Sequence, residues 1–243
     1  MMIPLIVLGV AIVMMAIEAA RPGRSWPQVV GWWQRALIFN GVQAGMVWLA
    51  GAAWDGWMIS HRLWSTDNLG VAGGAIIGYL AITFVYYWWH RWRHEYSVLW
   101  RWFHQFHHSP QRIEIITSFY KHPFELLANS VLSSAILYLL VGMGPQAAAQ
   151  TVLITGLAEL FYHWNVKTPY WLGFIIQRPE SHCVHHQEGV HNYNYSDLPL
   201  WDMLFGTFRN PRRWQSRCGF GEKEHQVFAM LRGADVAVDA LKQ

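Results

Sequence analysis

Histidine is the residue type whose spacing in this chain could do chemistry. His90 and His94 stand four residues apart in the run HRWRH, which puts both rings on one face of a helix. His104, His107 and His108 follow at i, i+3 and i+4 in HQFHH, within an arc of about 100° on a helix. His182, His185 and His186 repeat that spacing in HCVHH, and His163 closes an apolar stretch. One such histidine reads as a hydrogen-bonded interfacial residue. Nine of them, delivered by separate segments, read as metal ligands. A zinc site uses about three or four protein ligands, so nine imidazoles exceed one site and suit two metals. Imidazole serves iron, zinc and copper alike; spacing alone leaves that choice open, with iron the leading candidate.

The elements that must position these rings are apolar. The 243 residues are 53% hydrophobic and only 14% charged, with 16 Trp, too apolar and aromatic for an ordinary soluble domain. Residues 1–20, 36–54, 71–89, 126–143 and 147–162 each approach the roughly 20 residues a spanning helix needs. The last is the shortest. Residues 1–20 lack the positive start of a secretory signal and are expected as a retained helix. The fold expected is all-α: an integral membrane helical bundle of about five spans, or four if the shortest does not cross, with a cytoplasmic histidine-rich cap. One membrane domain is expected over residues 1–243. Gly70, Gly74 and Gly78 are spaced for close helix packing.

Five spans with the N-terminus outside place every Lys and Arg except Arg62 on the inner side, as the positive-inside tendency demands. The histidine boxes fall on that same side. The connection from His90 to Pro123 is dense in aromatics and cations, and Trp88, Trp89, Trp92 and Trp100 are candidates for a membrane boundary or substrate entrance. After Val166 the chain turns polar and is expected to form the cap. Cys183 and Cys218 show no zinc-type pairing and no disulfide framework. No basic run or stacking motif suggests nucleic acid.

The order HRWRH, HQFHH, His122-Pro-Phe-Glu125, a lone histidine in FYHWNV, then SHCVHH and NYNYSDLPLWDMLFGTF resembles the fatty acid hydroxylase or sterol desaturase superfamily of membrane di-iron proteins, over residues 86–208. The resemblance implies a non-haem centre of two Fe ions with O2 as co-substrate. Its ligands would be His90, His94, His104, His107, His108, His163, His182, His185 and His186, with His122 a tenth candidate that could equally be interfacial. Some family members carry a further histidine after the position of His163, where this chain has Asn165 and Lys167. His191 reads as loop structure, and Ser196 stands where glycine is usual. Asp202 could orient a ligand or cap a helix, and Glu159, one turn before His163, could accept from it. His61 and His225 should lie away from the metals.

The resemblance implies hydroxylation or desaturation of a lipid or sterol-like substrate in the membrane, the cell inner membrane if bacterial. Taking hydrogen from an unactivated C–H bond requires a redox metal rather than side-chain acid–base chemistry, and no side-chain acid or base is assigned. No dinucleotide fingerprint, iron–sulfur pattern or haem domain is recognisable, so a separate donor of ferredoxin or cytochrome type, with its reductase, must bring electrons. The cations Lys167, Arg178, Arg209, Arg212 and Arg213 are candidates to attract it. The alternative is a metal-binding or metal-transporting membrane protein without oxygenase activity. Transport asks for polar residues at successive depths of the spans, whereas these histidines collect at one end. A zinc hydrolase is disfavoured because HRWRH lacks the glutamate base of the helix-borne protease motif.

Overall fold

The computed structural model describes residues 2–237. Helix α1 (Met2–Ala20) is followed by α2 (Trp32–Ala50), which runs through a π-helical turn at Gly51–Asp55 into α3 (Gly56–Ser60). Helix α4 (Gly70–Glu95) continues without a break through HRWRH. Short helices α5 (Ser97–Phe103) and α6 (Gln105–His108) lead to α7 (Pro123–Ser134), lengthened by a π-helical segment at Ala135–Leu140. Helix α8 (Pro145–His163) precedes α9 (Pro179–His185), α10 (Pro199–Leu204) and α11 (Val227–Leu231). Proline opens α7, α8, α9 and α10, where its missing N–H costs no hydrogen bond and its fixed φ suits the first turn. Among the described residues the only β pairing is an isolated bridge, Gln187 with Cys218.

Each expected apolar stretch lies largely in a helix, and most of these helices are longer than expected. Three are long and apolar enough to cross a membrane: Trp32–Ser60, Asp67–Glu95 and Pro123–Leu140. Helix α1 adds a shorter apolar stretch at Leu5–Ala20. Helix α8 falls outside that set, diluted by Gln146, Gln150, Thr151, Thr155 and Glu159. The outward faces carry Leu8, Ile12, Leu37, Ile38, Trp48, Ile76, Ile77 and Val152 in the open. Apolar surface on this scale suits lipid as solvent rather than water, and the chain is a membrane protein.

All five long helices meet the cap at one end. Helices α1, α4 and α8 finish there and α2 and α7 begin there, tied by Glu18, which accepts from Ile115 N and Asn165 N, and by Trp32, whose Nε1 donates to Glu114 at 2.6 Å. At the opposite end the connections after α3 and α7 hold one another, Thr66 N donating to Gly142 O at 3.0 Å. Helices α4 and α8 pack most extensively. A Cβ on Gly74 would lie 2.9 Å from Ala147 Cβ, and one on Gly78 would lie 2.6 Å from Thr151 Oγ1 and from Met143. The two glycines therefore let the helices touch, as small residues do in membrane packing. Gly70 acts differently: its φ of 65° turns the chain into α4, with nothing near its missing side chain among the described residues.

Two expectations about the cap change. Trp100 is no boundary residue; it is 1% exposed, its ring centroid 5.2 Å from that of His94 and 5.3 Å from that of His108. Arg178 is fully buried and spent internally on Glu180, Thr168 and Asn210, so it cannot face a partner, unlike the exposed Lys167, Arg209, Arg212 and Arg213.

Filling the α4–α8 contact tests its role. Gly78→Leu should destabilise the fold by about 1–3 kcal/mol through overpacking, read as a lower thermal midpoint in detergent. Gly9→Leu, on an open face of α1, should leave the midpoint nearly unchanged.

Candidate metal centre

Helix α4 carries His90 and His94 on its last two turns, and the chain then doubles back so that α5 and α6 lay HQFHH against them. Helix α8 ends on His163 from the other side, and α9 places HCVHH between. The result is two groups. His90, His94, His104, His108 and His185 form one, and His107, His163, His182 and His186 the other, the candidate ligand atoms within each lying within 4.8 Å of one another. Each three-histidine box is divided: His104 and His108 serve the first group and His107 the second, while His182 and His186 serve the second and His185 the first. The groups abut, with the rings of His108 and His186 stacked at 4.1 Å.

Backbone carbonyls aim the rings. Nδ1 of His90 donates to Tyr195 O at 2.7 Å, His185 to Tyr193 O at 2.6 Å, His107 to Tyr120 O at 3.2 Å and His163 to Glu159 O at 2.9 Å. A ring whose Nδ1 carries the proton leaves Nε2 with a bare lone pair, the form that binds metal. The Nε2 atoms converge accordingly: His104 to His90 2.8 Å, His104 to His108 3.1 Å and His163 to His182 3.0 Å. Two ligands at right angles on one ion, each ~2.1 Å away, stand about 3 Å apart. Both ring nitrogens of His94 and of His186, with Nε2 of His185, are buried and have no hydrogen-bond partner among the described residues. Buried polar atoms are ordinarily satisfied, and a metal ion in each group would satisfy these. The donor set fits two imidazole-bound metals.

Burial also keeps the rings neutral. It drives the titration of His104, His107, His108, His182 and His186 well below the ordinary value near 6.5, with neighbouring cations and imidazoles adding to the effect. For His185 burial brings it down to about 3, partly opposed by the bond to Tyr193 O, and for His191 to about 4.

Residues beyond the histidines hold the arrangement. Glu125, wholly buried, accepts from His104 Nδ1 at 3.0 Å and pairs with Arg93, itself buried inside HRWRH. The HPFE element and an arginine between two box histidines were the visible traces of this contact. Asp202 accepts from Tyr195 N at 2.8 Å, Ser196 N at 2.9 Å and Thr207 Oγ1 at 2.7 Å, so it holds the segment whose Tyr195 carbonyl aims His90. His191 lies in a loop, as read from sequence, but its ring is buried with Nδ1 3.1 Å from His108 Nδ1. Glu159 reaches His163 through its backbone oxygen, while its carboxylate pairs with Lys121 at 2.7 Å.

His122 joins neither group. Its Nδ1 accepts from Phe124 N at 3.1 Å and caps α7. His61 stacks on Trp57 at the far end, and His225 meets Arg35. Asn165 grips the backbone of Arg24 through both side-chain atoms, away from the metals, and the second group keeps four histidines against five in the first. Cys183 and Cys218 are buried together beside Ile113 as free thiols.

An all-helical membrane chain that gathers two groups of largely buried histidines at one end defines a class, the histidine-box membrane proteins. Residues 75–207 match the fatty acid hydroxylase family, and the chain belongs to it. It is 34% identical over 158 residues to an ornithine lipid hydroxylase of Rhizobium tropici, covering 63% of this chain and 47% of that one. It is 30% identical over 136 residues to the alkylglycerol monooxygenase of Homo sapiens, covering 54% and 29%. With a very-long-chain aldehyde decarbonylase of Oryza sativa subsp. indica it shares 30% identity over 122 residues, covering 49% and 47%. The match thus spans less than half the length of each of these relatives. No solved structure matches the chain.

Two outcomes follow from this geometry. Glu125→Ala should lower metal affinity of the five-histidine group by about 10–100-fold and take the metal content from roughly two ions per chain toward one, with Glu125→Gln intermediate, by elemental analysis after dialysis against a weak chelator. The metal-free protein should lose stability as pH falls from about 6.5 toward 3. The unfolded chain binds protons at the buried histidines in that window while the folded chain does not: His185 and His191 are depressed to about 3 and about 4, and His104, His107, His108, His182 and His186 well below the ordinary value. They outnumber Asp197 and Asp202, which burial raises to about 7 and about 6 and which act in the opposite sense. Denaturant midpoints that stay flat between pH 7 and 4 would contradict this.

Proposed function

We propose that this chain oxidises a membrane lipid with O2, using two iron ions held by the histidine groups. The observation that carries the reading is the sorting of nine imidazoles, seven of them buried and His90 and His94 half-buried, into adjacent sets of five and four, their ligand atoms within 4.8 Å in each. His90, His94, His104, His108 and His185 would hold one ion, and His107, His163, His182 and His186 the other. Iron there would supply the O2-activating redox chemistry that no side chain possesses. The relatives' names support a lipid as substrate and leave hydroxylation and other oxidative outcomes open.

The protein's own part is positional and protective. The carbonyls of Tyr120, Tyr193 and Tyr195 and the Glu125 carboxylate keep the rings in the metal-binding tautomer and at fixed angles. Trp100 packs on the first group, and Phe106, stacked on Tyr120 at 4.6 Å, belongs to the same buried apolar cluster as Trp100. Such apolar walls exclude water from a reactive centre. Positive-inside topology supports a histidine cap on the cytoplasmic face of the cell membrane. Lys167, Arg209, Arg212 and Arg213, exposed on the cap, would steer an acidic electron donor in a salt-sensitive way. Hydroxylation with O2 takes two electrons from outside the substrate, so a ferredoxin or cytochrome-type donor is part of the reading.

Reconstitution in nanodiscs, with product followed by mass spectrometry, tests this. Turnover should require O2 and a separate donor, and NAD(P)H alone should not sustain it. His107→Ala or His185→Ala should abolish product, while His61→Ala and His225→Ala keep it near the starting level. Undiminished anaerobic turnover, or equal losses at all four positions with expression unchanged, would overturn the reading.

A further inference from the structure

The five-histidine group is approached from one side, at His94, whose ring nitrogens stay buried. A cavity of about 420 Å³ runs down to His94 between the last turns of α4 and the loop of residues 189–195. Its walls are charged and polar: Arg91 and Glu95, paired at 2.7 Å, with Asn192, Tyr193 and Thr207. The Arg91 and Glu95 side chains keep 30% and 43% of their surface accessible, so both are free to meet a ligand. Beside this charged mouth the surface turns apolar. The Arg91 guanidinium lies 5.6 Å over Trp88, Trp88 packs on Phe205, and Trp92, Met203 and Leu204 stand exposed.

The cavity is built into the fold. Arg91 Nη1 donates to Tyr87 Oη at 3.3 Å, Tyr87 Oη meets Thr207 Oγ1 at 3.1 Å, and Thr207 donates to Asp202, which holds the segment that aims His90. The opposite wall carries two non-glycine residues with a left-handed backbone, His191 at φ 41° and Tyr193 at 69°, and Asn194, next in the chain, is the third among those described, at 50°. Strain of this sort persists only where surroundings enforce it, and it gathers at functional sites. Here Asn194 enforces it, bonding Ser181 O, Arg209 O and Arg209 N.

We propose that this cavity seats the zwitterionic headgroup of a lipid substrate, Arg91 taking the anionic group and Glu95 the ammonium, with the acyl chains lying outward on the Trp88–Phe205–Leu204 face. This deepens the proposed oxidation and rests on that reading. A hydrocarbon tail in the cavity would strip water from a charged pair and return nothing, a cost that burial of unpaired charge always carries. A headgroup with both charges replaces the water and keeps each ion paired. A protein donor does not fit the same role, since a specific protein interface needs upwards of about 1,000 Å² and a cleft of this size holds one small group. Oxidation then falls on a carbon in or next to the headgroup, because the cavity leads to His94 from the polar side.

The test is direct binding of short lipids to the metal-loaded full-length chain in detergent, followed by tryptophan fluorescence and native mass spectrometry. Dihexanoyl phosphatidylethanolamine should bind ~10-fold more tightly than dihexanoylglycerol. Arg91→Gln should remove that preference. Glu95→Gln should shift it toward dihexanoyl phosphatidylglycerol, which lacks the ammonium. The exchange Arg91→Glu with Glu95→Arg keeps an ion pair on the helix and should fold normally while retaining more of the preference than Arg91→Gln does. Equal binding of the three lipids, or a preference untouched by Arg91→Gln and Glu95→Gln, overturns the site. If the binding pattern holds but no lipid is oxidised with O2 and donor, the oxygenase reading fails and the headgroup site stands. If lipids are oxidised with the same KM in wild type and Arg91→Gln, the headgroup site fails and the oxygenase reading stands.

Discussion

Nine imidazoles must be kept neutral, largely out of water and turned so that bare nitrogens face two points, and most of the cap answers to that constraint. A buried ring nitrogen that carries a proton needs an acceptor, and the interior of a regular helix has none to spare because its carbonyls are already bonded; only the last turn of α8 offers one, Glu159 O to His163. The other acceptors come from irregular backbone: Tyr120 in the turn before α7, and Tyr193 and Tyr195 in the loop after α9. That is why the cap is broken into short helices and loops. The unusual backbone at residues 191–194 belongs to the same constraint, since it delivers two carbonyls to two rings of one group.

The membrane helices supply the frame. Gly74 and Gly78 let α4 and α8 approach closely well away from the cap, and the two helices then arrive at it with His90 and His94 on one and His163 on the other. Their approach brings His90 and His94 to the first group and His163 to the second, so a contact made in the hydrocarbon region helps assemble the site at its edge. Charge is handled by pairing: Arg93 is buried where a lone cation would be costly, and Glu125 meets both it and His104. One carboxylate thereby neutralises a cation and orients a ring.

Residue type and spacing carried the histidines and the helices. The i, i+3, i+4 pattern declares a shared face on its own, and apolar length declares a span. What spacing could not carry was any partner distant in the chain. Glu125 lies 21 residues from His104 and 32 from Arg93, and its role emerges only when α7 packs beside α4 and α5. Carbonyl acceptors have no residue signature at all, so Tyr193 and Tyr195 were silent. Trp100 and Arg178 misled for a related reason. Both types favour surfaces and interfaces, and here each is closed in by the flanking chain together with a distant residue, the first two boxes and Phe220 for one, Thr168 and Asn210 for the other. His122, which spacing left open between ligand and interfacial residue, serves as a helix cap, a role a histidine before proline can take.

The division of each box between the two groups makes the protein a molecular ruler. His107 and His108 are chain neighbours, as are His185 and His186, and in both pairs one ring goes to each group. Neighbouring Cα atoms are held about 3.8 Å apart by covalent geometry, so the gap between the groups is set by bonds rather than by soft tertiary contacts. Bilayer thinning, a tilted span or thermal breathing of the bundle can move α4 or α8 by an ångström, yet each box carries its own fixed pair across the divide. The same linkage forbids independent tuning: turning α6 or α9 about its axis to improve one group would degrade the other. A lineage built on such a ruler is free to change its membrane helices and its substrate cleft, while the boxes can change only together.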